Sequence, residues 1–147
     1  MIKKDSSKVT GSVNVVVRDE DGAVKQDFTV PNLVVDSGLD YIASRMEGTT
    51  DTVMSHMAVG TNNTAADASD TTLGTEAARV ALTSTTVTNN AVAYVATFAA
   101  GTGTGALTEA GIFNDSSAGD MLCRTVFSVI NKGASDSMTV TWTVTIS

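Results

Sequence analysis

A chain of 147 residues with a formal net charge of −7 and a pI near 4.4 has the length of one ordinary domain, and its few scattered Lys and Arg give no basic footprint for nucleic acid. Its single cysteine, Cys123, permits no internal disulfide, so the fold does not depend on an oxidising compartment. No apolar run approaches the ~18 residues of a membrane helix, so no membrane partner is expected.

Met1 to Lys8 is short and polar, and reads as a flexible arm able to clasp a neighbour. It has basic residues but no apolar stretch after them. A signal peptide is therefore not expected, and the expected product is a soluble protein made in the cytoplasm. The remainder, residues 9–147, reads as a single β-sandwich domain.

Val9 to Arg18 predicts a strand with Val13, Val15 and Val17 on one face. Asp19-Glu20-Asp21-Gly22 is a turn, because Asp-Gly readily supplies positive φ. Val24 to Val30 returns as the second arm of a hairpin, and Pro31, which has no N–H for a ladder, stops it. One helix follows. Asp36 or Ser37 is placed to cap it, Leu39, Ile42, Ala43 and Met46 form its apolar face, and Gly48 ends it. Gly38 in the first turn permits close packing.

Val53 to Gly60 predicts a strand, and Thr61 to Thr75 a long polar loop. Arg79 to Thr88 predicts one strand that turns at Asn89-Asn90 into Ala91 to Ala99. That return places Val92, Tyr94, Ala96 and Phe98 on one face. Gly101 to Gly105 reads as a hairpin connector. Its glycines do not make it a phosphate loop, since no Lys-Ser/Thr ending and no long helix follow. Leu107 to Phe113 and Met121 to Phe127 are strands, with turns at 114–120 and 131–136. The closing strand, from Ser137, is the clearest. Met138, Val140, Trp142, Val144 and Ile146 alternate with four threonines, a period of two that only an extended strand satisfies. About eight strands and one short helix, with frequent turn signals, predict a mainly β protein, an antiparallel β-sandwich or jelly-roll-like domain. Its predicted core includes Trp142, Val140, Val144, Phe98, Phe113 and Phe127.

The chemistry-bearing residues are sparse. His56 is the only histidine, so neither a histidine-rich metal site nor a catalytic triad is expected around it. Cys123 lies in a strand and reads as a small buried thiol. Asp67, Asp70 and Glu76 share one loop, and Asp115 and Asp120 another. Neither spacing matches an EF-hand, so solvated acidic loops are expected in place of calcium sites. Glu109 and Arg124 lie on successive strands and can face each other as a structural pair. No second acid near Glu109 supports glycosidase chemistry. Asn62-Asn63-Thr64 and Asn114-Asp115-Ser116 fit the glycosylation pattern, which means little without a secretion signal. No cofactor is expected, and the chain reads as a protein that is not an enzyme.

Several segments together resemble a group of small structural proteins of tailed bacteriophages. They are Asn32-Leu-Val-Val-Asp-Ser-Gly-Leu-Asp-Tyr-Ile-Ala, Met57-Ala-Val-Gly-Thr, Asp70-Thr-Thr-Leu-Gly-Thr-Glu, Leu107-Thr-Glu-Ala-Gly-Ile-Phe, Met121-Leu-Cys-Arg-Thr-Val-Phe, Asn131-Lys-Gly and the closing threonine strand. The resemblance implies a virion structural role and brings no catalytic residues. It covers capsid decoration (cement) proteins and tail fibre, collar, adaptor or baseplate parts alike. The short chain has no repetitive or coiled-coil shaft, which favours decoration. The expected partners are then the major capsid protein and the chain itself, as a homotrimer, with a host receptor only under the tail alternative. The candidate assembly contacts are Ile2, Lys3 and Lys4 of the arm and Thr61, Asn62, Asn63, Asp67 and Asp70 of the long loop. A carbohydrate-binding module has little support, because aromatics are few and Trp142 is on the face expected to be buried.

Overall fold

The computed structural model describes residues 8–48 and 51–147. Ten strands and one helix follow in the order β1 (Val9–Arg18), β2 (Val24–Pro31), β3 (Leu33–Val34), α1 (Asp36–Glu47), β4 (His56–Gly60), β5 (Glu76–Ala81), β6 (Ser84–Thr88), β7 (Ala91–Phe98), β8 (Gly105–Phe113), β9 (Met121–Lys132) and β10 (Ser137–Ile146). They form two five-stranded antiparallel sheets. One has the order β2-β1-β10-β7-β6, the other β3-β9-β8-β4-β5. The architecture is the antiparallel sandwich that the alternating pattern predicts, with more strands than expected.

The alternation of β10 explains why it is the middle strand of its sheet. Val140, Trp142 and Val144 point into the sandwich, where Trp142 sits between Val13 of β1 and Tyr94 of β7. Phe98 and Phe127 join the same core, and Phe127 meets Phe28 with ring centroids 6.0 Å apart. Phe113 is also buried, but in a second cluster with Val35, Ala58, Leu73 and Met121. Thr139, Thr141, Thr143 and Thr145 stay partly exposed on the outer face.

Several elements differ from the sequence expectation, each for a physical reason. The stretch 79–88 is two strands. It leaves one sheet as β5 and enters the other as β6, with Leu82 N–H donating to Ser55 O and Thr83 N–H to Val95 O at the crossing. The run 101–105 also joins the two sheets and so is not a hairpin connector; Gly101, Gly103 and Gly105 take φ of 83°, 66° and 137° there. Strand β4 starts at His56, not Val53, and β9 runs on to Lys132.

Helix α1 is set down on a face other than the predicted one. Leu39 and Met46 are exposed, and the buried residues are Gly38 and Tyr41, with Ile42 half-buried. Gly38 decides this. A Cβ there would run into the carbonyl oxygen of Leu122, so the backbone itself lies against β9 at that point. Neither Asp36 nor Ser37 caps the helix through its side chain. Asp36 N–H instead donates to Ala68 O at 2.8 Å, and Ser37 Oγ donates to Met121 O at 2.9 Å. Gly48 ends the helix in the left-handed conformation, φ 76°, as expected.

Of the predicted arm, residues 1–7 lie outside the described residues. Lys8 belongs to the sheet: its backbone exchanges two hydrogen bonds with Ser147, at 2.7 and 2.8 Å.

Candidate functional site: a loop pinned across one sheet

The loop after β4 is the part of the molecule on which most polar chemistry converges. Its base is closed where Thr61 N–H donates to Thr75 O at 3.0 Å. Between these residues the chain crosses the outer face of the second sheet. Two glycines make room for it. A Cβ on Gly60 would run into Thr75 O, and one on Gly111 would lie 3.0 Å from Leu73 Cδ2. Leu73 is 5% exposed and rests on Ala58, Phe113 and Met121. The loop is therefore not purely polar, as its composition suggested; one leucine anchors it in a small core of its own.

Beneath the loop lies Glu109, fully buried. Its Oε2 accepts from Asn62 N–H at 2.9 Å and Thr75 N–H at 2.8 Å, and its Oε1 accepts from Gly74 N–H at 2.8 Å. Oε1 also accepts from Arg124 Nε and Nη2, at 3.2 and 3.1 Å. The expected pair thus forms, although Arg124 stands directly opposite Gly111, and Glu109 opposite Val126, so the two side chains meet on a diagonal. The register shifts between Leu107 and Glu109, with the extra residues on β9 between Val126 and Ile130. Arg124 reaches further, with Nη1 on Asp70 Oδ2 at 3.0 Å and Nη2 on Thr64 O at 3.1 Å. A buried carboxylate with three backbone N–H donors and a fork of guanidinium N–H groups has its lone pairs filled.

The candidate contact residues of the loop divide accordingly. Asn62 gives its backbone N–H to Glu109, and Asp70, half-buried, is ion-paired to Arg124. Asp67 is exposed; its carboxylate accepts from Ser69 Oγ at 2.6 Å and Ser69 N–H at 2.9 Å, which hold it below the usual carboxylate range. Thr61 and Asn63 are exposed. Asn63 borders a cleft of about 360 Å³ between the loop and the β2–β3 corner, with Ala65, Ala66 and Arg124 also on its wall. Ile2, Lys3 and Lys4 lie outside the described residues.

The neighbouring loop 114–120 is held by Arg79, a residue that sequence reasoning passed over. Its guanidinium lies 3.8 Å from the centre of the Phe113 ring, grips Glu76 through Nη2 and Nε at 2.7 and 3.1 Å, and donates to Asp115 O and Ala118 O at 2.9 and 2.8 Å. Asp115 is held below its usual range by Ser117 N–H, while Asp120 N–H donates to Asn114 Oδ1 at 2.7 Å.

Lys132 was also missed. It is 1% exposed and donates to Ala99 O at 3.0 Å and Asp136 O at 2.7 Å, which ties together two of the crossings between sheets. Burial pushes its ammonium below the ordinary value, against the pull of Asp136. The Asp136 carboxylate takes Lys25 Nζ at 2.6 Å and Gly133 N–H at 2.7 Å, which hold it low. A lysine at the end of an alternating strand carries no sequence signal of burial, since it ordinarily marks solvent.

No family model, no curated protein and no solved structure matches this chain.

The remaining sequence candidates sit apart from the pinned loop. Cys123 is fully buried, which pushes its thiol far up and leaves no thiolate to act as a nucleophile. His56 is half-buried, with Ser55 Oγ 2.8 Å from its Nδ1. Among the described residues, no three His, Cys, Asp or Glu side chains gather as a metal site. Chemically, the pinned loop is a fixed surface: its buried charges are spent on holding the chain in place.

Proposed function

We propose that this chain is a structural protein of a tailed-phage virion, a capsid decoration protein that binds the assembled lattice and performs no catalysis. One observation carries the reading. Four of the segments that bear the phage resemblance, at 57–61, 70–76, 107–113 and 121–127, meet at the Glu109–Arg124 pin, where Gly60 pairs with Glu109 and the others bond around it to hold a surface loop in place. Preorganised loops on a stiff sandwich suit a subunit that must dock without paying much ordering entropy. The partners are the major capsid protein and further copies of the chain. Thr61, Asn63 and Asp67 are the loop residues left outward for such contacts. The arm residues Ile2, Lys3 and Lys4, outside the described residues, are proposed as further contacts on sequence grounds alone.

A ligand that binds only the assembled lattice stabilises it by mass action. Particles lacking this protein should assemble, then release DNA at a lower temperature than complete ones, and added purified protein should restore the difference. An intercalating dye followed during heating reads this directly. Identical release curves combined with lost adsorption would assign the protein to the tail.

A further inference from the structure

Each sheet of an open sandwich ends in strands whose outward N–H and C=O groups can pair with another chain, and proteins ordinarily guard them. Three of the four edges here are guarded. Strand β2 carries Lys25, Asp27 and Pro31. Strand β3 is two residues long. Strand β5 carries Glu76 and Arg79 and pairs with β4 through an irregular register. The fourth edge, β6, has none of these devices. It reads Ser84-Thr85-Thr86-Val87-Thr88, all five residues are exposed, and Val87 is 68% exposed. It lies within residues 80–108, a stretch without one charged side chain in a chain that carries 16 acidic and 9 basic residues.

We propose that β6 is a self-association edge, pairing antiparallel with β6 of a second copy about a two-fold axis at Thr86, so that two five-stranded sheets become one continuous sheet. The backbone alternation fixes the register. Ile146 N–H donates to Asn90 O, which assigns the even residues of β7 to β10 and leaves the odd ones to β6. The partners of those odd residues are Ser84, Thr86 and Thr88, so Thr85 and Val87 turn their N–H and C=O groups outward. Centring the pair on Thr86 sets Thr85 against Val87 of the other copy twice over, and every outward group finds a partner. Centring it on Thr85 would require Thr83 N–H, which is already given to Val95 O. Centring it on Val87 would require Asn89, which sits in the turn at φ 52°.

The register selects a second copy as the occupant, because one strip supplies both partners of every pair, and electrostatics permits it. Two molecules of charge −7 repel wherever carboxylates face each other, and this edge lets backbones meet with no charge in the paired strip. The facing pairs are Thr–Thr, Thr–Val and Ser–Thr, combinations that suit cross-strand contact. The contact is two-fold, so the free species is a dimer, where the sequence reading expected a trimer. The pairing does not rest on the virion reading.

Sedimentation equilibrium and a cysteine scan test this on the full chain. The native chain should reach twice its 15.1 kDa mass with rising concentration. Thr86→Lys, which brings two ammonium groups together on the axis, should raise the dimer Kd tenfold or more with an unchanged circular dichroism spectrum. Thr86→Cys should form a disulfide-linked dimer under oxidation, because Cα atoms of such a non-hydrogen-bonded pair lie about 4.5 Å apart, within disulfide reach. Ser84→Cys should not, since its own copy lies about four residue steps away, or roughly 14 Å. A native monomer at every concentration, a trimer, a dimer that survives Thr86→Lys, or equal cross-linking at both cysteines would each overturn the proposal.

Discussion

Replacing Glu109 with glutamine tests the pin with almost no change of volume. In the native protein the carboxylate accepts five hydrogen bonds, three of them from the backbone of the loop. Glutamine offers one acceptor oxygen and points an NH₂ group at N–H donors that have no alternative acceptor. It also leaves the Arg124 guanidinium, 3% exposed, without its buried counter-charge. Removing one member of a buried ion pair costs about 3–5 kcal/mol, and a stranded buried N–H about 1–3 kcal/mol. These costs overlap, and Asp70 still holds one arm of Arg124. We therefore expect Glu109→Gln to destabilise by about 3–4 kcal/mol in urea unfolding, with hydrogen exchange quickened at Asn62, Gly74 and Thr75. The double variant Glu109→Leu/Arg124→Met should recover only part of the loss, because the loop amides stay unpaired. A shift below about 1 kcal/mol with the three amides still protected would refute the claim that this carboxylate holds the loop.

Other substitutions probe other parts of the fold. Trp142→Ala should cost about 3–5 kcal/mol in urea unfolding, whereas Thr141→Ala on the opposite face should stay within about 0.5 kcal/mol. Gly38→Ala forces α1 away from the Leu122 carbonyl and should lower stability by about 1–3 kcal/mol, read by thermal melting. The Asp136 carboxyl is held below its ordinary 3.8 by Lys25 and Gly133, so its stabilisation is present above that value and is lost as pH falls through the lower folded one. Asp136→Asn should flatten the acid limb of the stability curve. Deleting residues 2–7, which spares the Lys8–Ser147 pairing, should leave circular dichroism unchanged and weaken incorporation into particles.

The sheets were legible where side chains alternate strictly, as in Val13–Val17 and Met138–Ile146, because period two has one geometric solution. The Glu109–Arg124 pair was legible because a short hairpin loop brings the two strands together. The face of α1 was not. Leu39 and Met46 have helical spacing, but a close approach at Gly38 sets the orientation, and a missing side chain has no hydropathy. The crossing at Leu82–Thr83 was hidden for a related reason: both halves of the run favour strand, and only tertiary hydrogen bonds to Ser55 and Val95 split them. The three backbone amides that fill Glu109 lie 34 to 47 residues away from it, beyond any local pattern.

Strand β1 pairs along its full length with β10, Val9 opposite Ile146 and Arg18 opposite Ser137. During synthesis the Val13–Val15–Val17 face is made long before its main cover, Val140 to Val144. The first hairpin must therefore wait without β10 beside it while β3 to β9 are added, and the sheet can close only afterwards. Such pairing between distant strands makes folding slow, with the early chain open to wrong partners meanwhile. The charges of the first turn, Asp19 to Asp21, together with Lys25 and Asp27 of β2, lie on that waiting hairpin, and charges so placed disfavour association of exposed strands.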